Sequence, residues 1–161
     1  MWWLIALAIL GVAAWSIGRT PHFYLTVGEQ TTDLGSVSGG EAITLHYRHS
    51  VQQTHVWEYL QIAPDRDGFI LTGTRYRSYG VGLPFLPGEG KYHREGNDFI
   101  LEQMHRHYPR IDLRIGVGTE LTLDYQGQLF PLYQEYPVGT PIRLEILSPI
   151  IYRWQKITSR R

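Results

Sequence analysis

From Phe23 onward the apolar positions of the chain recur with a period of two. Ile111, Leu113, Ile115 and Val117 alternate with Asp112, Arg114 and Gly116. Leu121, Leu123 and Tyr125 alternate with Thr122 and Asp124, and Ile142, Leu144 and Ile146 with Arg143 and Glu145. Ile43, Leu45 and Tyr47 alternate with Thr44, His46 and Arg48. A two-residue period places one face of each run on a core and the other in water, which predicts strands. Turn residues separate the runs at short intervals: Ser38-Gly-Gly40, Asp67-Gly68, Gly116-Val-Gly118, Gln126-Gly127 and Pro137-Val-Gly139. Residues 99–107 contain Leu-Glu-Gln-Met, which also suits a helix, and are read as a strand ending near Pro109. Short strands without a long amphipathic helix between them predict an all-β fold, a single antiparallel β-sandwich or barrel-like domain over residues 21–161.

Residues 1–20 break this pattern. Between Trp2 and Ile17 there is no charged residue, and Arg19 closes the run. Sixteen residues at about 1.5 Å each give roughly 24 Å of helix, short of the ~30 Å hydrocarbon core of a bilayer. Snorkelling by Arg19 and interfacial seating of Trp2, Trp3 and Trp15 would make up the difference. The expectation is an N-terminal hydrophobic helix acting as an uncleaved single-pass anchor. A cleaved secretory signal is the alternative: Ala14-Trp-Ser16 offers a small-x-small site, although no Lys or Arg precedes the apolar run. A buried soluble helix is a third reading. The lone Arg19 leans by charge bias toward a cytoplasmic body.

Composition narrows the classes. The 161 residues include 43% hydrophobic and 13% aromatic positions, enough for one ordinary core. Lys+Arg and Asp+Glu are 15 each, so no global attraction to nucleic acid exists and none is expected as a partner. The absence of cysteine excludes disulfides, a thiol nucleophile and thiolate metal sites.

The chemistry concentrates in Arg48-His-Ser-Val-Gln-Gln-Thr-His-Val-Trp-Glu58. Extending the Ile43, Leu45, Tyr47 face reaches His49, and Glu58 shares a face with Val56, Leu60 and Ile62. A register near His49 opposite Glu58 would place an imidazole beside a buried carboxylate and offset part of its burial cost. Such a pair either locks register, with Thr54 capping the turn, or contacts a ligand at the mouth of the sheet. Ser50 beside His49 does not make a hydrolase, because adjacent strand residues point to opposite faces and no Gly-x-Ser-x-Gly elbow exists. No catalytic residue is assigned and the chain is not expected to be an enzyme.

A second stretch, residues 76–88, places Gly80, Gly82, Pro84 and Pro87 in one turn. It is read as a structural turn, with anion contact through backbone N–H groups and Arg75, Arg77 or Arg48 as the alternative. Seven histidines raise a metal site, with His105 and His107 on one strand face and His46, His55 and His93 as further candidates. Their spacing matches no metal motif, so no metal or cofactor is expected. The C-terminal residues IIYRWQKITSRR are read as a last strand with a basic tail, the alternative being contact with lipid headgroups or a membrane partner.

His49-Ser-Val with Thr54, Val56 and Glu58 resembles the HSVxxTxVxE signature of the bacterial family called domain of unknown function 1850. Tyr79-Gly-Val-Gly-Leu-Pro84 is similar to its Gly-x-Gly-Leu-Pro turn, and Leu113-Arg-Ile-Gly116 and residues 128–139 are similar to its later blocks. The likeness spans residues 23–147, with His55 standing where that family often has a proline. Members typically carry an N-terminal hydrophobic segment and are often encoded beside tripartite transporters of the TRAP-TAXI kind. The resemblance therefore implies a body in the periplasm, held at the inner membrane or secreted after cleavage, and it overrides the bias from Arg19. It also implies an accessory or interaction subunit of such a transporter, in uptake of a small organic anion. A small-ligand binding module for an organic anion, lined by His49, Glu58 and the Gly80 to Pro84 turn, is the alternative function.

Overall fold

The computed structural model describes residues 18–77 and 88–158, together with Trp2, Trp3 and Ile5. Among these residues eleven strands follow in chain order: β1 (His22–Val27), β2 (Gln30–Ser36), β3 (Ala42–Arg48), β4 (His55–Ile62), β5 (Phe69–Tyr76), β6 (Lys91–Glu95), β7 (Asp98–Tyr108), β8 (Arg110–Arg114), β9 (Thr122–Tyr125), β10 (Gln128–Phe130) and β11 (Pro141–Leu147). A four-residue helix, α1 (Leu132–Glu135), precedes β11, and a ten-residue helix, α2 (Pro149–Thr158), follows it.

The strands form two antiparallel sheets. One has the order β2-β1-β11-β8, and the other β10-β9-β3-β4-β5-β7-β6. Neither sheet closes into a barrel, so of the two architectures expected from the periodicity the open sandwich is the one formed. Residues 99–107 belong to a strand, β7, as the alternation predicts. The turns also fall where the glycine and proline clusters place them, with Gly40, Gly68, Gly118, Gly127 and Gly139 all at positive φ.

The core lies between the sheets. Phe23, Leu25 and Val27 of β1 and Ile142, Leu144 and Ile146 of β11 pack from the smaller sheet. Ile43, Leu45, Leu60, Ile62, Phe69 and Leu123 pack from the larger one. Phe23 meets Phe69 and Tyr125 edge-on, with ring centroids 5.6 and 4.9 Å apart. A separate cluster of Val56, Tyr76 and Phe99 lies at the other end of β4, β5 and β7, with Tyr47 packed against both clusters.

One irregularity sets up the site. The pairing of β5 slips between Leu71 and Gly73, against both β4 and β7. Phe69 and Leu71 face the core, and strict alternation would then send Gly73, Arg75 and Arg77 inward. The extra residue at Thr72 reverses this parity, so Thr74 and Tyr76 turn inward and Arg75 and Arg77 turn outward. Gly73 fits there because a Cβ would lie 2.8 Å from the Leu101 carbonyl oxygen.

One expectation is corrected, and another lies outside the described residues. The C-terminal residues form α2 and not a strand; Ile150, Trp154 and Ile157 repeat at helical spacing. The expected N-terminal helix over residues 2–17 falls almost wholly outside the described residues. Among the described residues no helix is long and apolar enough to cross a membrane.

Candidate functional site

The stretch from Arg48 to Glu58 divides into a turn and a cavity wall. His49 donates its backbone N–H to the Thr54 carbonyl at 2.8 Å, and Gln53 donates to the His49 carbonyl at 2.8 Å. The His49 Nδ1 accepts from the backbone N–H groups of Val51 and Gln52, each at 3.3 Å. The Ser50 carbonyl accepts from the Gln53 side-chain amide at 2.7 Å. His49, Ser50 and Thr54 thus close a tight connection between β3 and β4.

This closure overturns the expected pairing of His49 with Glu58. Arg48 lies opposite His55, so Glu58 lies opposite Leu45, four positions back along β3 from His49. Four residues of strand are about 13 Å, beyond reach of the imidazole. The facing follows the alternation: Glu58 shares the inner face of β4 with the buried Val56, Leu60 and Ile62. Its partner is Tyr47, whose hydroxyl donates to Glu58 Oε1 at 3.2 Å.

Glu58 lines a cavity of about 290 Å³ between the sheets. Leu60, Leu71, Tyr76, Met104 and Tyr108 of the larger sheet form much of its wall, and Ile111 and Leu113 of β8 close it from the smaller one. The strand β8 pairs only with β11 among the described residues, so the cavity lies at the edge of the smaller sheet. Arg110 and Asp112, joined at 2.8 Å and about half exposed (55% and 47%), form its rim.

Inside the cavity the polar groups are few and close together. Thr74 sits directly opposite Glu58 in the β4–β5 register, a separation of about 5 Å between Cβ atoms. The Thr74 hydroxyl oxygen is buried and has no hydrogen-bond partner among the described residues. Burial raises the Glu58 carboxyl above its ordinary value of 4.5, and the hydrogen bond from Tyr47 opposes this only in part. Burial, followed by the charge of Glu58, also raises the Tyr47 hydroxyl, which stays protonated as a donor. Alternation along the sequence does not mark Thr74 and Tyr76 as cavity residues, nor Tyr47 as the partner of Glu58. Gly73 inside a strand run was the available signal, since an interior glycine marks a bulge.

The cations named for anion contact are engaged elsewhere. Arg75 Nε and Arg77 Nε donate to opposite oxygens of the buried Asp98 at 2.8 and 2.9 Å. Arg48 pairs with Glu120 at 3.1 Å. Gly80, Gly82 and Pro84 lie outside the described residues. The histidines are dispersed: His46 Nε2 and His55 Nδ1 are 2.9 Å apart on the outer face, where His46 also stacks on Trp57, and His107 pairs with Asp67 at 2.8 Å. Among the described residues no group of three His, Asp or Glu side chains is placed to hold a metal ion.

A family model described as Domain of unknown function (DUF1850) matches residues 43–132. The chain belongs to this family. No curated protein and no solved structure matches it. The matched DUF1850 span begins in β3 and ends at the start of α1. It therefore contains the His49 turn, Glu58, Thr74 and the β8 wall of the cavity, while β1, β2, β11 and α2 fall outside it.

Proposed function

We propose that this DUF1850 domain is a non-enzymatic binding module that takes a small, largely apolar molecule between its sheets. The observation that carries the proposal is the juxtaposition of Glu58 and the unpartnered Thr74 hydroxyl within an apolar cavity. A buried hydroxyl without a partner costs about 1–3 kcal/mol, and a buried carboxyl is costly unless hydrogen-bonded. A ligand with one hydrogen-bonding group directed at this pair would relieve both costs while its apolar body covers Leu60, Leu71 and Met104.

The organic anion implied by the family resemblance fits this cavity with Glu58 in its acid form. Two like charges 4 Å apart repel by about 4 kcal/mol at an effective dielectric constant of ~20. Anion binding should therefore weaken as pH rises through the Glu58 titration, whereas binding of a neutral molecule should persist further. In the setting the resemblance implies, a periplasmic body beside a TRAP-TAXI-type transporter, such a module would hold solute as an accessory subunit.

The test uses N-phenylnaphthylamine, a neutral fluorophore that brightens in apolar cavities, with the full chain in detergent and a matched micelle blank subtracted. Leu113→Trp, which fills the cavity from its edge strand, should abolish the remaining brightening while the far-ultraviolet circular dichroism is retained. Glu58→Gln should change affinity more than melting temperature. Undiminished brightening with Leu113→Trp would place the fluorophore elsewhere and remove the proposal.

A further inference from the structure

Helix α2 presents its apolar side away from the body of the protein. Ile150, Trp154 and Ile157 are spaced i, i+4 and i+7 and so lie along one face, with Ile151 beside them. Ile150 is 49%, Ile151 48%, Trp154 66% and Ile157 67% exposed, and no residue of the helix is buried. The opposite side holds the helix to the protein: Tyr152 stacks on Tyr24 of β1 with ring centroids 4.3 Å apart and planes 11° apart. Lys156 Nζ lies 5.8 Å from the same Tyr152 ring.

Two further observations say what this face meets. Gly18, the residue that follows the uncharged run of residues 2–17, abuts the helix; a side-chain carbon added there would lie 3.0 Å from Ile150 Cδ1. The apolar N-terminal segment therefore joins the body beside the apolar face of α2. Residues 148–161 also carry Arg153, Lys156, Arg160 and Arg161 and no acidic side chain. A short helix with a tryptophan and isoleucines on one face and basic residues flanking it has the chemistry of an interfacial helix on anionic lipid.

We propose that α2 lies in the headgroup layer of an anionic bilayer, beside the point where the N-terminal apolar segment joins the domain. Ile150, Trp154 and Ile157 enter the boundary between headgroups and acyl chains. Arg153, on the flank of that face, meets lipid phosphates, and Lys156, one turn along the helix and beside the Tyr152 ring, adds only longer-range attraction. The sandwich then stands on the membrane by two contacts, one from each end of the chain, which fixes its orientation and not merely its distance. Nothing in this arrangement depends on the ligand cavity.

The chain has no cysteine, so single thiols report depth without background. The full chain would be reconstituted in phosphatidylcholine–phosphatidylglycerol vesicles containing lipids with a nitroxide on a shallow acyl carbon. Fluorophores would be attached at Ile157→Cys or Gln155→Cys; α2 buries no residue, so neither change should disturb the sheets, and circular dichroism checks this. Quenching should be several-fold greater at position 157 than at 155. It should fall several-fold with Arg153→Glu and Lys156→Glu combined, or when phosphatidylglycerol is omitted. Equal, weak quenching at both positions would overturn the proposal. So would a blue-shifted but unquenched label at 157, which would mean that protein, including the chain's own residues 2–17, covers this face. Quenching insensitive to both charge reversal and lipid charge would overturn the role given to the basic residues.

Discussion

On the outer face of β5, Arg75 and Arg77 close on Asp98; on the inner face, Thr74 stands opposite Glu58 in an apolar cavity. Both carboxyls are largely removed from water, and their titrations move in opposite directions. Hydrogen bonds from Arg77 and Arg75 hold Asp98 below its ordinary value of 3.8. Burial, opposed only in part by the hydrogen bond from Tyr47, drives Glu58 above 4.5. The outer carboxylate is satisfied by the protein itself and has a structural role. The inner one is satisfied incompletely, and under the proposed reading a ligand supplies the remainder.

The pH dependence of stability should separate the two groups. Asp98 has a lowered folded value, so its contribution is present above 3.8 and is lost as pH falls through the range below it. Glu58 has a raised folded value, so its contribution is fully present below 4.5 and is lost as pH rises through the folded value. A wild-type stability profile should therefore gain from Asp98 and then lose from Glu58 as pH increases.

The most severe break in the comparison is Gly73→Val. Its Cβ would press on the Leu101 carbonyl and force the bulge that separates the two faces to rearrange. A loss of about 2–3 kcal/mol is expected in urea denaturation, together with loss of N-phenylnaphthylamine binding. Next comes Asp98→Ala, which strips both guanidinium groups of a shared acceptor. It should cost about 1–2 kcal/mol at neutral pH, less in acid, and leave fluorophore binding unchanged. Loss of binding in this variant would show that the two faces are not independent.

Glu58→Gln should be close to neutral at low pH and become stabilising relative to wild type by about 1 kcal/mol as pH rises above 4.5. A variant that loses stability uniformly with pH would mean that Glu58 is an ordinary structural acid. The smallest effect belongs to Thr74→Val, which removes a buried hydroxyl without a partner at nearly constant volume. Stability should rise by about 1 kcal/mol, the low end of the cost of burying an unpartnered hydroxyl, with a weaker grip on ligands that hydrogen-bond at that position.

The sandwich was legible in the sequence because the period-two runs around Ile43, Ile111, Leu121 and Ile142 are uninterrupted, and glycine marks their turns. Glu58 was also legible as an inward carboxyl, since β4 itself carries no extra residue between Val56 and Leu60. Its partner was not. The register of β3 with β4 depends on how tightly residues 50–53 turn, and that follows from backbone hydrogen bonds to His49, which alternation does not encode. Thr74 and Tyr76 were hidden for a related reason: the slip at Thr72 reverses facing, so alternation alone points Arg75 and Arg77 at the core. The C-terminal residues differ from the expected last strand because the i, i+4, i+7 spacing of Ile150, Trp154 and Ile157 is a helical signal, which the structure follows.

The direct measurement is the titration of the Glu58 side-chain carboxyl by carbon NMR, with and without N-phenylnaphthylamine. The account predicts a midpoint above 4.5 that moves when the fluorophore fills the cavity. A midpoint at or below 4.5, indifferent to the fluorophore, would contradict it.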